Sequence, residues 1–280
     1  WARDVVAFRD INVNWFRTSH YPPAEELMIA ADELGMMIEI EAPFCWASGN
    51  TGQVALDYTT QAHTETIVFN RHHASVVAYS LGNESPWNEN FNLSYYNFVI
   101  NTDTTRPFMF DGGGGQRAKP DGGPLDIITS HYPGLGFKTQ DPATYPTSFG
   151  EYAHLNCYNR RELLADPGVR DTWAIGVRMM WEEVWRDPAV LGACYWAGID
   201  DFFFMPSLNG TRHTVGYGPW GVIDAWRRPK PETHAVQNIY STVVLHGSIL
   251  SQLTVDNRHD FTDLADVNFT WLADGVRGSA

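Results

Sequence analysis

Basic residues are scarce in this chain: 19 lysines and arginines face 33 aspartates and glutamates over 280 residues, a formal net charge of −14. A field of that sign repels polyanions and excludes nucleic acid and anionic lipid as expected partners. Cysteine is rarer still. Cys45, Cys157 and Cys194 are far apart, with no CxxC and no Cys/His spacing of a metal finger. They are expected to be free, mostly buried thiols, and they leave cytoplasm, periplasm and exterior all open as compartments. No apolar run approaches the roughly 20 residues that cross a bilayer, so no membrane span is expected. There is no initiator methionine, and the first ten residues read as the middle of an amphipathic helix, so the natural N-terminus is expected elsewhere.

Apolar residues make up 44% of the chain and aromatics 14%, enough for one large α/β domain whose rings could also stack on a ligand. Strand-like and helix-like runs alternate up to about residue 240, the pattern of repeated βα units. Strands are expected at Asn14–Ser19, Met36–Glu41, Val76–Gly82, Phe108–Asp111, Asp126–Ser130, Thr147–Gly150 and Ala193–Ala197. Helices are expected at Pro23–Leu34, Thr59–Asn70, Asp171–Arg186 and Glu232–Tyr240. The fold class is thus α/β: residues 1–240 as a TIM (β/α)8 barrel lacking its first strand, N-terminally truncated. Beyond Pro229-Lys-Pro231, alternating segments at Ser251–Val255 and Val267–Leu272 read as the start of an all-β sandwich over residues 241–280, cut short at its C-terminus. Two open barrel edges expose unpaired backbone and invite aggregation, so the segment is expected to fold poorly when alone and to belong with the missing domains of a longer chain. A homo-oligomer stays open.

Two strand ends carry the chemistry: Ala78-Tyr-Ser-Leu-Gly-Asn-Glu84 and Thr147-Ser-Phe-Gly-Glu-Tyr-Ala-His154. Each breaks into small, polar residues where a glutamate appears, and a parallel barrel gathers the C-terminal ends of its strands at one mouth. Glu84 and Glu151 can face each other there as a carboxylate pair of the kind that cleaves glycosidic bonds. Other signals are weaker. The glycine run after Asp111 lacks the strand-turn-helix context of a dinucleotide loop. His72-His73 has no acidic or cysteine partner at metal-ligand spacing and is expected at a helix end. A metal-dependent hydrolase would need His and Asp clustered on strand ends, which the spacing does not offer, so no cofactor and no metal is expected.

Taken together, Arg17-Thr-Ser-His-Tyr-Pro22, Ser80-Leu-Gly-Asn-Glu84, Gly150-Glu-Tyr-Ala-His154, Tyr195-Trp196, Ile199-Asp200 and Arg228-Pro-Lys-Pro231 resemble the successive landmarks of glycoside hydrolase family 2. Asp256-Asn-Arg-His-Asp-Phe-Thr262 and Phe269-Thr-Trp271 are similar to the β-domain that follows the barrel there. The resemblance implies a retaining exo-β-glycosidase with a carbohydrate substrate, β-galactosides first, with a β-glucuronidase, another family glycosidase or a non-catalytic sugar-binding module as alternatives. It implies Glu84 as acid/base and Glu151 as nucleophile, and Asn83 donating to a sugar hydroxyl. Arg17 and Tyr132 would keep Glu151 ionised, while His20, His154 and Trp196 line the sugar pocket; His131 ranks below its neighbour Tyr132. Glu41-Ala-Pro-Phe-Cys-Trp46 stands where the family's galactosidases often carry magnesium ligands, and that site is expected to be absent. No Asn-x-Lys element for a sugar carboxylate precedes Arg228, leaving Arg212 as the nearest cation for an acidic sugar.

Overall fold

The computed structural model describes residues 1–48, 51–112, 125–139, 145–154, 165–206, 212–248 and 252–279. Its centre is seven parallel strands in two runs. The first joins β1 (Trp15–Arg17), β2 (Met37–Glu41), β3 (Val76–Asn83) and β4 (Phe108–Asp111). The second joins β5 (Ile128–His131), β6 (Thr147–Tyr152) and β7 (Val190–Tyr195). β4 and β5 are stitched through Asp126, whose amide donates to the Phe108 carbonyl (2.9 Å) while its carboxylate accepts from the Phe108 amide (2.9 Å). All seven strands stand where the sequence suggests, displaced by up to three residues at their ends.

Helices α1 (Ala2–Arg9), α2 (Glu25–Leu34), α3 (Gln53–Asn70) and α4 (Glu89–Ser94) precede β1 to β4 in turn, α5 (Pro167–Arg186) lies between β6 and β7, and α6 (Pro231–Ile239) follows the parallel strands. α2 stops because Gly35 takes a left-handed φ of 73° and its amide returns to the Ala31 carbonyl, a turn that costs glycine nothing. α5 starts four residues earlier than apolar spacing indicates. Pro167 is pre-set for a first helical turn, and the Asp166 carboxylate accepts from the Gly168 amide at 2.8 Å, so polar residues extend the helix before its apolar stripe begins.

β2, β3, β4 and β6 are buried on both faces, as parallel strands between helices must be, whereas β1 and β7 are only half-buried. On β2, Ile38 and Ile40 join the core cluster with Met28, Leu81 and Phe110, while Glu39 and Glu41 alternate with them and are fully buried on the other face. Phe44, Trp87, Phe91 and Phe110 meet at ring separations of 5.2–5.9 Å, mostly edge to face. Each such pair adds about 0.5–1.5 kcal/mol beyond area burial.

Among the described residues no strand pairs with the free edge of β1 or of β7. A cavity of about 1450 Å³ opens there, lined by Trp15, Phe16, Trp181, Leu191 and Ala193. This is where the sequence reading places one more strand. Neither Glu84 nor Glu151 lines it.

Three antiparallel pairs follow β7. β8 (Asp201–Pro206) pairs with β9 (Arg212–Gly218), a hairpin with no clear alternation in sequence. β10 (Val243–Gly247) pairs with β11 (Leu253–Asn257), and β12 (Thr270–Ala273) with β13 (Val276–Ser279). The last turn holds Asp274 and Gly275 at positive φ, the two-residue Asp-Gly geometry that matches strand twist. Arg258 ties this region to the barrel by two bonds to Glu182 on α5 (2.7 and 3.1 Å). Among the described residues no helix is long and apolar enough to cross a membrane. Cys45 and Cys194 are free thiols but only partly buried, a correction to the expectation of buried ones; Cys157 lies outside the described residues.

Candidate active site

Arg17, at the end of β1, organises the barrel mouth. Its Nη1 donates to Glu151 Oε1 (3.0 Å) and to the Gly150 carbonyl (3.1 Å), its Nη2 donates to Asn83 Oδ1 (2.6 Å), and Asp111 Oδ2 lies 3.1 Å from its Nε. Glu41 binds the same guanidinium. One side chain thus draws together the ends of β2, β3, β4 and β6. Burial disfavours its charge, yet Asp111, Glu41 and Glu151 outweigh that and hold its pKa well above the usual value.

That many buried acids cannot all be ionised. Burial, then the charge of Asp111, pushes the Glu39 pKa well above the carboxylate range and favours its neutral form. Burial also opposes the charge of Asp111, but Arg17 and His131 prevail and hold it ionised. Glu39, Glu41 and Asp111 escaped the sequence reading. Their signal was the Ile-Glu-Ile-Glu alternation of a strand that should be apolar on both faces.

Glu84 follows the last residue of β3 with a φ of 41°, its amide bonded to the Asp111 carbonyl. A left-handed non-glycine residue costs roughly 1–2 kcal/mol. The reversal swings the carboxylate off the strand line and into the mouth. Trp46 Nε1 donates to Glu84 Oε2 (2.8 Å), and His131 Nδ1 stands 2.8 Å from Glu84 Oε1 and 3.7 Å from Glu151 Oε1. Burial alone would raise the Glu84 pKa; the bonds from Trp46 and His131 more than offset it and hold the group below its ordinary value. Burial works against a His131 cation, but Asp111 and then Glu151 raise its pKa. His131, ranked second to Tyr132 in sequence, sits between the two glutamates.

Glu151, on β6, is 3% exposed. The Tyr132 hydroxyl donates to its Oε2, the oxygen opposite the one Arg17 holds. Burial and the Glu151 carboxylate push the phenol far above its usual pKa, so Tyr132 acts as a donor. Its ring stacks on His154 (5.6 Å, 28°), and His154 meets Trp220 edge to face at 5.1 Å. His20 bonds Glu41 through Nδ1 (2.9 Å) and stacks on Trp196 (5.4 Å, 20°). Asn83 spends its oxygen on Arg17 and one amide proton on Cys45 Sγ (3.3 Å), leaving its other N–H. The structure therefore brings Glu84, Glu151, Asn83, Arg17, His20, Tyr132, His154 and Trp196 to one mouth. The side chain of Arg212 lies outside the described residues.

Oxygens of Glu84 and Glu151 and a nitrogen of His131 all lie within 4.8 Å of one another. The sequence spacing hid this His/Glu cluster, because its members come from three strand ends. Lys230 belongs to the frame. Its buried ammonium pairs with Asp200 (2.8 Å) and donates to the Pro219 carbonyl (3.0 Å), joining two of the sequence landmarks.

The profile "Glycosyl hydrolases family 2, TIM barrel domain" matches residues 1–244, and the chain belongs to that family. A β-galactosidase of Oenococcus oeni is 23% identical over 84% of this chain and 24% of its own length; one of Leuconostoc mesenteroides is 22% identical over 96% and 28%. A solved β-glucuronidase of Bifidobacterium dentium superposes with a TM-score of 0.64 at 18% identity, over 85% of this chain and 42% of that one. The chain spans about a quarter of the length of these curated relatives.

Proposed function

We propose that this chain carries the catalytic centre of a retaining exo-β-glycosidase acting on terminal β-galactosides. The observation behind the mechanism is the approach of Glu84 and Glu151 to within 4.8 Å, oxygen to oxygen. A carboxyl pair about 5–5.5 Å apart suits double displacement, whereas inverting enzymes need about 6.5–9.5 Å to admit a water.

Glu151 Oε attacks the anomeric carbon while Glu84 protonates the departing glycosidic oxygen. Glu84 then takes a proton from water, whose oxygen displaces Glu151 and restores both carboxyls. Arg17 and Tyr132 each donate to one Glu151 oxygen and so orient the carboxylate. In the ligand-free site Trp46 and His131 favour an ionised Glu84. His131, 2.8 Å from Glu84, is the neighbour that can hold the proton for the leaving group. A sugar that excludes water from Glu84 shifts it onto the carboxyl.

A neutral sugar is favoured because, among the described residues, the cations near the mouth are engaged: Arg17 by carboxylates and Lys230 by Asp200. A glucuronide remains the second reading, supported by the family's solved structures. A cation held by Glu84, His131 and Glu151 would have to compete with Arg17 and Tyr132 for Glu151. The test is Glu151→Ala with azide on an activated aryl β-galactoside. Rescue with a β-galactosyl azide product supports the nucleophile assignment; a dead variant that azide cannot revive counts against it.

A further inference from the structure

Outside the ring of strands, a second cluster has no part in the glycosidase reading. His72 and His73 follow α3 directly, and the fold lays the first turn of α2 against them. His73 Nε2 lies 3.5 Å from Glu25 Oε2, and His72 Nε2 lies 3.9 Å from Glu25 Oε1. One ligand atom from each of the three residues falls within 4.8 Å of the others. Sequence spacing offers no acidic partner for the histidine pair because α2, β2 and α3 separate it from Glu25.

His73 points to a ligand independently. Its side chain is 4% exposed, and its Nδ1 bonds the Asp32 carboxylate on α2 at 2.7 Å. The Asp32 bond takes up Nδ1, so Nε2 is the ring nitrogen that remains for a ligand. That Nε2 is buried with no hydrogen-bond partner, and it faces Glu25 and His72. A buried, unsatisfied ring nitrogen is costly to leave so, and a metal ion is one partner that satisfies it. Carboxylate to imidazole to metal is also the arrangement that fixes a ligand's tautomer and raises its basicity. Zinc bonds of about 2.0–2.2 Å in a tetrahedron set ligand atoms about 3.4 Å apart, so the observed separations need only small side-chain rotations. His72 and Glu25 are about 60% exposed and free to make them, with side-chain exposures of 61% and 59%.

We propose that Glu25, His72 and His73 form a binding site for a zinc-class divalent transition metal, with Asp32 as the positioning residue and water completing the shell. The donor set, two imidazoles and one carboxylate, selects zinc, cobalt or nickel over magnesium and calcium. The bound ion clips the start of α2 to the turn that feeds β3, the strand leading to Glu84. It performs no chemistry on the sugar.

The full chain, stripped with a chelator, is titrated with Zn²⁺ against a chromophoric competitor, and Co²⁺ absorption reports the ligand field. His72→Ala and Glu25→Gln replace exposed side chains and keep the buried His73–Asp32 pair, so the fold is retained, as circular dichroism checks. Glu84→Gln removes a ligand of the other His/Glu cluster. The expected result is one site in wild type and in Glu84→Gln, weakened at least about tenfold by His72→Ala and by Glu25→Gln. Asp32→Asn should weaken it about 10–100-fold with the cobalt bands shifted rather than abolished. Equal affinity in wild type and His72→Ala, loss confined to Glu84→Gln, or no binding by wild type would each overturn the proposal.

Discussion

At the scale of single residues, the site depends on how few donors must serve many acids. Trp46 and His131 each stabilise the ionised form of Glu84, so removing either raises its pKa. The Trp46→Phe variant isolates the indole bond, since the ring stays. If Glu84 must be protonated to act as acid, its alkaline limb in kcat/KM moves to higher pH in Trp46→Phe; an unmoved limb would assign that limb to another group. Glu84, Asn83 and Arg17 were legible in sequence because their motifs are local. His131 was undervalued because its importance comes from a position between two strand ends that no spacing reveals. Trp46 reads as an ordinary loop aromatic until its Nε1 is seen on Glu84.

At the scale of elements, close approach fixes the residue choices. Gly150 sits on β6 where a Cβ would lie 2.2 Å from Asp111 Oδ1 and 3.0 Å from His131 Nε2. Both atoms are buried, and Asp111 is fixed through its other oxygen, 3.1 Å from Arg17, so there is little room to yield. Gly150→Ala should cost about 1–3 kcal/mol in denaturant unfolding, and kcat should fall more than stability because β6 carries Glu151. On α3, His63 is wholly buried, 2.9 Å from Ser94 Oγ and 2.9 Å from the Leu81 carbonyl. Burial pushes its pKa down to about 4 despite the Leu81 bond. Between pH 6.5 and about 4 the unfolded chain binds a proton there that the folded chain refuses. The stability that neutral His63 confers is full above pH 6.5 and is lost as pH falls through that window, by about 3 kcal/mol in total. A pH series of unfolding free energies should show that slope in wild type and not in His63→Gln; parallel curves would refute the assignment. The seven strands and their order could be read in advance because apolar runs mark them. The β8–β9 hairpin could not, since its pairing follows from tertiary contact rather than from alternation.

For the whole molecule, a net charge of −14 opposes anionic ligands. The KM for an aryl β-glucuronide should therefore fall as salt rises from about 0.01 to 0.15 M, while that for the neutral galactoside stays level. A salt-independent glucuronide KM would mean local cations dominate and would favour the second reading. Among the described residues no strand pairs with the facing edges of β1 and β7, and an apolar cavity opens beside them. Concentration-dependent association, read by light scattering, is the expected consequence. The barrel was readable from the βα alternation, but the interior ring of acids about Arg17 was not, because it needs all the strand ends at once.

The most direct measurement is mass spectrometric mapping of the chain after reaction with a 2-deoxy-2-fluoro-β-galactosyl fluoride, whose glycosyl-enzyme turns over slowly. The expected product is a fluorosugar ester on Glu151, formed in the presence of a chelator and absent in Glu151→Gln. A label on another residue, or hydrolysis that needs added metal and never passes through an ester on Glu151, would contradict it.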